Sequence, residues 1–145
     1  MTQHYQIRRI TPQDFDYLYE LRKRSFVNYV KEYYGGWNEQ EQRGYYRIFL
    51  GKYKYDTYII TYNNERIGSY TYKIHDNIID IVNLTLESKV QHCGIGSSLL
   101  NTIKSQYPTL TITLKCFKTN TAILFYRKLG FIIVGETPSH YLLIA

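Results

Sequence analysis

The segment Gln91-His92-Cys93-Gly94-Ile95-Gly96-Ser97 joins two glycines and polar neighbours to the start of an apolar-periodic run. It follows the apolar stretch Ile78 to Leu86 and opens the amphipathic stretch 95–107. Read as strand, tight turn and helix, it aims a row of unbonded backbone N–H groups and the positive end of a helix at one point. That geometry suits an anion such as a pyrophosphate, and the glycines let the main chain approach it closely. Taken alone, a glycine turn is a weak signal, because similar turns serve several nucleotide ligands.

Other chemistry-bearing residues are scattered. His4, His75 and His140 show no metal-ligand spacing, so no metal is expected, and solvated or packed imidazoles are the plainer reading. Cys93 and Cys116, the only cysteines, read as free thiols of a reducing compartment. A thiol at a helix start is open to oxidation, although for Cys93 the simpler role is a small loop filler. The charge of +6, from 18 Lys and Arg against 12 Asp and Glu, is dispersed, with Arg22-Lys23-Arg24 the densest cluster. This reads as a basic surface able to attract a polyanionic small ligand; no specific nucleic-acid partner is expected. The stretch Met1-Thr2-Gln3-His4-Tyr5-Gln6 lacks the apolar core of a leader, and no run approaches the ~18 residues of a membrane span. The expected location is the cytoplasm, with no membrane partner.

The elements that must position the glycine turn follow from period and punctuation. At 145 residues the chain is expected to form a single domain, 1–145. A short first strand spans residues 5–10. Thr11-Pro12-Gln13-Asp14 then opens a helix with Phe15, Leu18, Tyr19, Phe26, Tyr29 and Val30 inward, and Gly35-Gly36 stops it near Tyr34. Asn38 caps a second helix with the stripe Tyr45, Ile48 and Phe49, and residues 52–56 form a polar connection. From Thr57 the period is two: a strand, the turn Asn63-Asn64-Glu65, a hairpin partner 67–74, the turn His75-Asp76-Asn77 and the strand Ile78–Leu86. The helix after the glycine turn crosses over to an alternating strand, Leu110 to Cys116, which must then lie parallel to the strand before it. Asn120 caps a last helix with Ala122, Phe125, Tyr126 and Leu129 inward; Gly130 ends it, and residues 131–136 and 140–144 close the sheet.

This order, with Gln91-x-x-Gly94-x-Gly96 at one turn and Asn120-x-Ala122-x-x-x-Tyr126-x-x-x-Gly130-Phe131 later, resembles the GCN5-related N-acetyltransferase (GNAT) superfamily across essentially the whole chain. Positions that many members fill with proline and a further glycine carry Ser88 and His92, and Gln91 stands where arginine is common. The first half, through Leu21-Arg22, Tyr29-Val30 and Gly36-Trp37-Asn38-Glu39, also resembles small bacterial members. The implied fold is α/β: a mixed, largely antiparallel seven-stranded sheet flanked by about four helices, with the fourth and fifth strands parallel and splayed.

The resemblance implies an acetyl-CoA-dependent N-acetyltransferase, an acyltransferase moving acetyl to a primary amine of a small molecule or protein by direct attack, as a monomer or homodimer. A non-catalytic acyl-CoA-binding regulator is the alternative. It assigns the pyrophosphate to Gln91, His92, Cys93, Gly94, Ile95, Gly96 and Ser97, and the amide-rich pantetheine arm to the strand edge Leu84-Thr85-Leu86. Asn120 and Tyr126 join this cofactor set. Tyr126 matches the family's general acid toward the departing sulfur, and equally falls on the buried stripe; the Leu86 N–H is the expected polariser of the thioester carbonyl. Asp80 stands where histone-type members carry a basic glutamate, so it is the first candidate base, acting directly or through water; a solvated charge at the strand start is the competing reading. Glu39 beside Trp37 is the second candidate. Tyr33, Tyr34 and Trp37, flat amphipathic rings in the helix joint, either wall an acceptor pocket with Glu39 or form core beneath the joint.

Overall fold

The computed structural model describes residues 4–145; Met1-Thr2-Gln3, half of the stretch read as lacking a leader core, lies outside them. Seven strands form one sheet in the order β1-β2-β3-β4-β5-β7-β6: β1 Gln6–Arg9, β2 Thr57–Tyr62, β3 Glu65–His75, β4 Ile78–Leu86, β5 Thr111–Phe117, β6 Ile132–Glu136 and β7 His140–Ile144. The helices are α1 Phe15–Tyr34, α2 Glu39–Tyr53, α3 Ile95–Gln106 and α4 Ala122–Lys128. All neighbours pair antiparallel except β4 and β5, the pair joined through the α3 crossover. The fold is thus the GNAT fold expected from the sequence.

Strand alternation divides the apolar residues between two faces. On one, Ile60, Ile79, Ile81, Ile112, Leu114 and Leu143 pack under Leu99, Leu100 and Ile103 of α3. On the other, Ile59 packs with Leu18 and Tyr19 of α1 and Tyr46 and Leu50 of α2. Asn63 and Asn64, both left-handed at φ 49 and 62, make the two-residue β2–β3 turn, so β3 begins at Glu65 rather than Ile67.

The face of α2 differs from the expected stripe. Tyr46 and Leu50 are the buried pair, with Phe49 beside them, whereas Tyr45 and Ile48 are exposed. Both sets satisfy helical spacing; what decides is that Tyr46 and Leu50 meet Ile59 across the layer. The helix also runs on to Tyr53, shortening the connection placed at 52–56.

Before α1, residues Pro12–Asp14 form a 3₁₀ turn, and Asp14 is the buried carboxylate of the fold, 1% exposed. It accepts from the Thr11 N–H at 2.8 Å, from two Arg8 nitrogens at 2.8 and 2.9 Å and from Arg66 at 3.1 Å. Burial by itself would raise its pKa. The two guanidinium groups and the N–H outweigh burial and hold the carboxyl well below the usual range. The contribution of this group to stability is therefore complete above the unfolded carboxylate pKa of about 4 and is lost as pH falls toward its folded value. Replacing Asp14 by Ala should cost about 2 kcal/mol in urea unfolding at neutral pH, since the Thr11 N–H and two partly exposed guanidinium groups lose their shared acceptor, with a smaller cost in strong acid.

Candidate active site

The site begins where two strands part. β4 and β5 are in register over only four pairs, Ile78–Thr111 through Ile81–Leu114, yet β4 continues to Leu86 and β5 to Phe117. Beyond Ile81 a notch opens between them. The β3–β4 register slips at the same place, with Thr71 opposite Asn83 and Tyr72 opposite Ile81, so Val82 is the extra residue of a bulge.

Main-chain direction in the notch is set by one hydrogen bond. Glu87 N–H donates to the Ile67 carbonyl at 2.9 Å, which makes 67 and 87 a bonded pair. By antiparallel alternation Thr85 bonds toward β3 as well, while Leu84 and Leu86 turn their N–H and C=O groups away from it, into the notch. Gln91 Nε2 donates to the Leu86 carbonyl at 3.1 Å, and the Leu84 and Leu86 N–H groups remain as exposed ladder positions. Of the expected edge Leu84-Thr85-Leu86, then, Thr85 does not offer its main chain; its hydroxyl donates to Asn83 at 2.6 Å and the residue is buried.

The turn after β4 leads straight to α3. Gly94 is left-handed at φ 85 as the residue before the helix, and the first helical bond runs from Ser98 N–H to the Gly94 carbonyl at 3.0 Å. Among the described residues nothing accepts from the N–H groups of residues 92–97. His92 also is left-handed, at φ 64, so a histidine adopts the backbone angle that glycine would favour there. Gly96 is needed for packing: a Cβ on it would stand 3.0 Å from the Phe125 ring of α4. Gln91, His92, Cys93 and Gly94 are exposed, Ser97 is half-buried, and Ile95 is buried under the helix.

Tyr126 reaches this region from α4. The Asn120 side chain accepts from the Ala122 N–H at 2.9 Å and so starts the helix one turn ahead of Tyr126. The Tyr126 ring packs edge-on against Phe125 and Phe131, with centroids at 5.1 and 5.7 Å, and lies near Cys116 of β5. Burial, then the Cys116 thiol, push its pKa up, keeping the phenol protonated and able to donate. The hydroxyl has no hydrogen-bond partner among the described residues. The ring thus packs as the buried-stripe reading expects, while the hydroxyl is uncommitted.

Asp80 lies on β4 one pair before the strands part, opposite Lys73 of β3 and Thr113 of β5, and Thr113 donates to it at 3.4 Å. It points to the α1 side of the sheet, opposite in phase to Ile79 and Ile81.

Among the residues read as either acceptor wall or core, Tyr33 lies at the end of β5: its ring stacks on Phe117 at 5.6 Å and its hydroxyl donates to Thr119 at 3.3 Å. Tyr34 approaches the edge of Phe117 at 6.5 Å, and Phe26 and Tyr29 complete this aromatic wall. Trp37 and Glu39 lie apart from it, at the joint of α1 and α2, in line with the core reading of Trp37. Trp37 packs with Tyr19 against the Ile59 cluster and its indole N–H donates to the Tyr19 hydroxyl at 3.0 Å. Glu39 accepts from that same hydroxyl at 2.7 Å and pairs with Lys23. The joint is a fastened corner rather than a lid, because three polar tips satisfy one another there. Phe117 and His140 were missed; their pairing spans β5 and β7, and no local signal reports it.

The sheet with its parallel pair cut short, the glycine turn at the head of α3 and the tyrosine of α4 define an acetyltransferase fold. This chain belongs to the GNAT acetyltransferase family: the sequence profile of the acetyltransferase (GNAT) domain matches residues 54–133, more than half of it. Among solved structures it is similar to the PaiA N-acetyltransferase of Thermoplasma acidophilum in complex with coenzyme A, at 22% identity, TM-score 0.71 and 97% coverage of each chain. It is similar to an acetyltransferase of Thermus thermophilus at 14% identity and TM-score 0.78, covering 99% of this chain and 97% of that one. An Arabidopsis thaliana protein in complex with the bisubstrate analogue CoA-Ac-MVNAL matches at 21% identity and TM-score 0.67, with 98% of each chain covered. No curated protein sequence matches the chain.

The turn makes a prediction of its own. Replacing His92 by Gly relieves a left-handed side chain, so thermal unfolding should show a gain of no more than about 1 kcal/mol; a loss would mean the imidazole contributes contacts that outweigh its strain.

Proposed function

We propose that the chain is an acetyl-CoA-dependent N-acetyltransferase, with residues 1–145 forming one such domain, that moves acetyl to a primary amine. The observation that carries this reading is the pair of main-chain N–H groups that Leu84 and Leu86 turn into the notch, together with the open N–H groups at the head of α3, against which α4, the helix of Tyr126, packs through Phe125. Pantetheine, an amide-rich arm, pairs like a strand with Leu84 and Leu86. The diphosphate sits on the N–H groups of residues 92–97, which carry the positive end of α3. The PaiA N-acetyltransferase shares this fold and was solved in complex with coenzyme A, which supports the same donor here.

In the transfer step the amine nitrogen attacks the thioester carbonyl, forming the C–N bond and an oxyanion that the Leu86 N–H faces. Collapse breaks the C–S bond, and the leaving thiolate takes the Tyr126 proton. Asp80, reached through a row of waters along the notch, takes the proton that the nitrogen sheds after attack. No step needs a metal. A small amine or the amine of a peptide both fit as acceptor, the latter in line with the CoA-Ac-MVNAL complex of the Arabidopsis thaliana relative.

Acetyl-CoA at a hundred times its Kd should raise stability by about 2.7 kcal/mol, seen as a thermal shift. Tyr126→Phe should lower kcat by about a hundredfold while leaving that shift intact, and Asp80→Asn should change the pH–rate profile. A thermal shift without thiol release over a broad amine panel would instead make the chain an acyl-CoA-binding regulator.

A further inference from the structure

Resting on the transferase reading, we propose that His140 is the group that turns the incoming ammonium into an attacking amine, and that its proton leaves through Ser139 and Tyr34. A primary ammonium loses two protons in becoming an amide, one before attack and one after. The second is the proton assigned to Asp80. The first must be taken near the thioester, and His140 is level with that end of the notch: carried past Ile81 and Leu114, the β4–β5 register sets Phe117 beside Leu84, and His140 is the β7 partner of Phe117.

His140 opens β7 directly opposite Phe117, the last residue of β5 and part of the strand beyond the parting point. Its ring lies 4.1 Å from the Phe117 ring, against the aromatic wall of Tyr29, Tyr33 and Phe26. Thr113, beside Asp80, is four residues back along β5, roughly 13 Å away, so His140 is the base level with the thioester end and Asp80 is reached from there only through water.

The ring is held in one chemical sense by its neighbours. His140 Nδ1 lies 2.7 Å from the buried Ser139 Oγ, which lies 2.9 Å from the Tyr34 hydroxyl. Tyr34 is 61% exposed, so the row runs from the half-buried imidazole to solvent. With Nδ1–H donating to Ser139, Ser139 donating to Tyr34 and Tyr34 donating to water, Nε2 is left as a bare acceptor. Nε2 has no partner among the described residues. When Nε2 takes a proton from the ammonium, Nδ1–H passes one to Ser139, Ser139 passes one to Tyr34 and Tyr34 passes one to water. Each group ends with the number of protons it began with, and one proton has left the protein. That matches the reaction as a whole, in which ammonium and thioester give amide, thiol and one proton.

The surroundings keep the ring neutral at rest. Burial first, then Lys115 of β5, lower its pKa. Lys118, the other cation of that strand end, is paired with Glu136 of β6 at 3.3 Å. From α1 come the Tyr33 and Tyr34 phenols and Glu32, whose carboxylate is taken by the Thr119 hydroxyl at 3.0 Å. Among these groups no carboxylate bonds the imidazole, so nothing holds a proton on it.

The test compares wild type, His140→Gln and Ser139→Ala in thiol release from acetyl-CoA, between about pH 6 and about pH 9. The acceptors are a set of alkylamines, cationic in this range, and a set of arylamines, neutral in it. His140→Gln should lower kcat/KM for alkylamines by about tenfold to hundredfold near neutral pH, with a deficit that shrinks as pH rises and is much smaller for arylamines. Ser139→Ala should shift the acid limb of the alkylamine profile, and the imidazole of the wild type should titrate in NMR as the Nδ1–H tautomer. A deficit equal for both amine classes at all pH values, or the Nε2–H tautomer, overturns the proposal and leaves a packing role. If wild type itself releases no thiol with any amine, the transferase reading falls; if wild type works and His140→Gln matches it, only the role of His140 falls.

Discussion

A parallel strand pair that stops after four residues leaves polar main chain facing a gap, and the rest of this molecule is arranged around that fact. Peptide groups cannot stay unbonded in a dry interior, so such a gap must be wet or hold a ligand that supplies the missing partners. The bulge at Val82 makes the parting possible by turning the far end of β4. The elements beyond β4 border the same gap: α3 starts at its rim, β5 forms its other wall, and α4 packs against the head of α3. Geometry suited to an extended amide-bearing molecule with a charged end is therefore a property of the backbone.

The walls of the gap are fixed by carboxylates set just outside it. Glu87, directly after β4, accepts from Tyr17 at 2.8 Å and from Arg24 at 2.9 Å, which ties the middle of α1 to the end of the strand. The opposite end of α1 is tied through Tyr33 to Thr119 and through Tyr34 to Ser139. One helix thus spans the open side of the notch, anchored on both strands that part. Neutralising Glu87 with Arg24 also keeps a bare negative charge away from the open N–H groups at the head of α3.

Much of this could be read from the chain alone. The bounds of β4 and the first residue of α3 fall where the apolar run and the glycine turn placed them, because local punctuation and period determine both. Asn120 as the start of α4 and Tyr126 on its packed stripe were legible from capping chemistry and helical period. The buried face of α2 was not, since Tyr45 with Ile48 and Tyr46 with Leu50 are equally good helical stripes until Ile59 chooses between them. Trp37 was ambiguous for the same reason: an aromatic ring at a joint suits a pocket or a core, and only the Tyr19 hydroxyl, twenty residues from Glu39 in sequence, settles it. The cluster on Phe117 joins α1, β5 and β7, so its parts are invisible in any window of sequence.

The two apolar clusters lie back to back on the sheet, one under α3 and the other under α1 and α2. Each helical layer touches the other only through strands that both share. Amides of α1 and α2 are therefore free to exchange with deuterium through openings that leave the α3 layer shut, so one face of the sheet can breathe while the other keeps its shape.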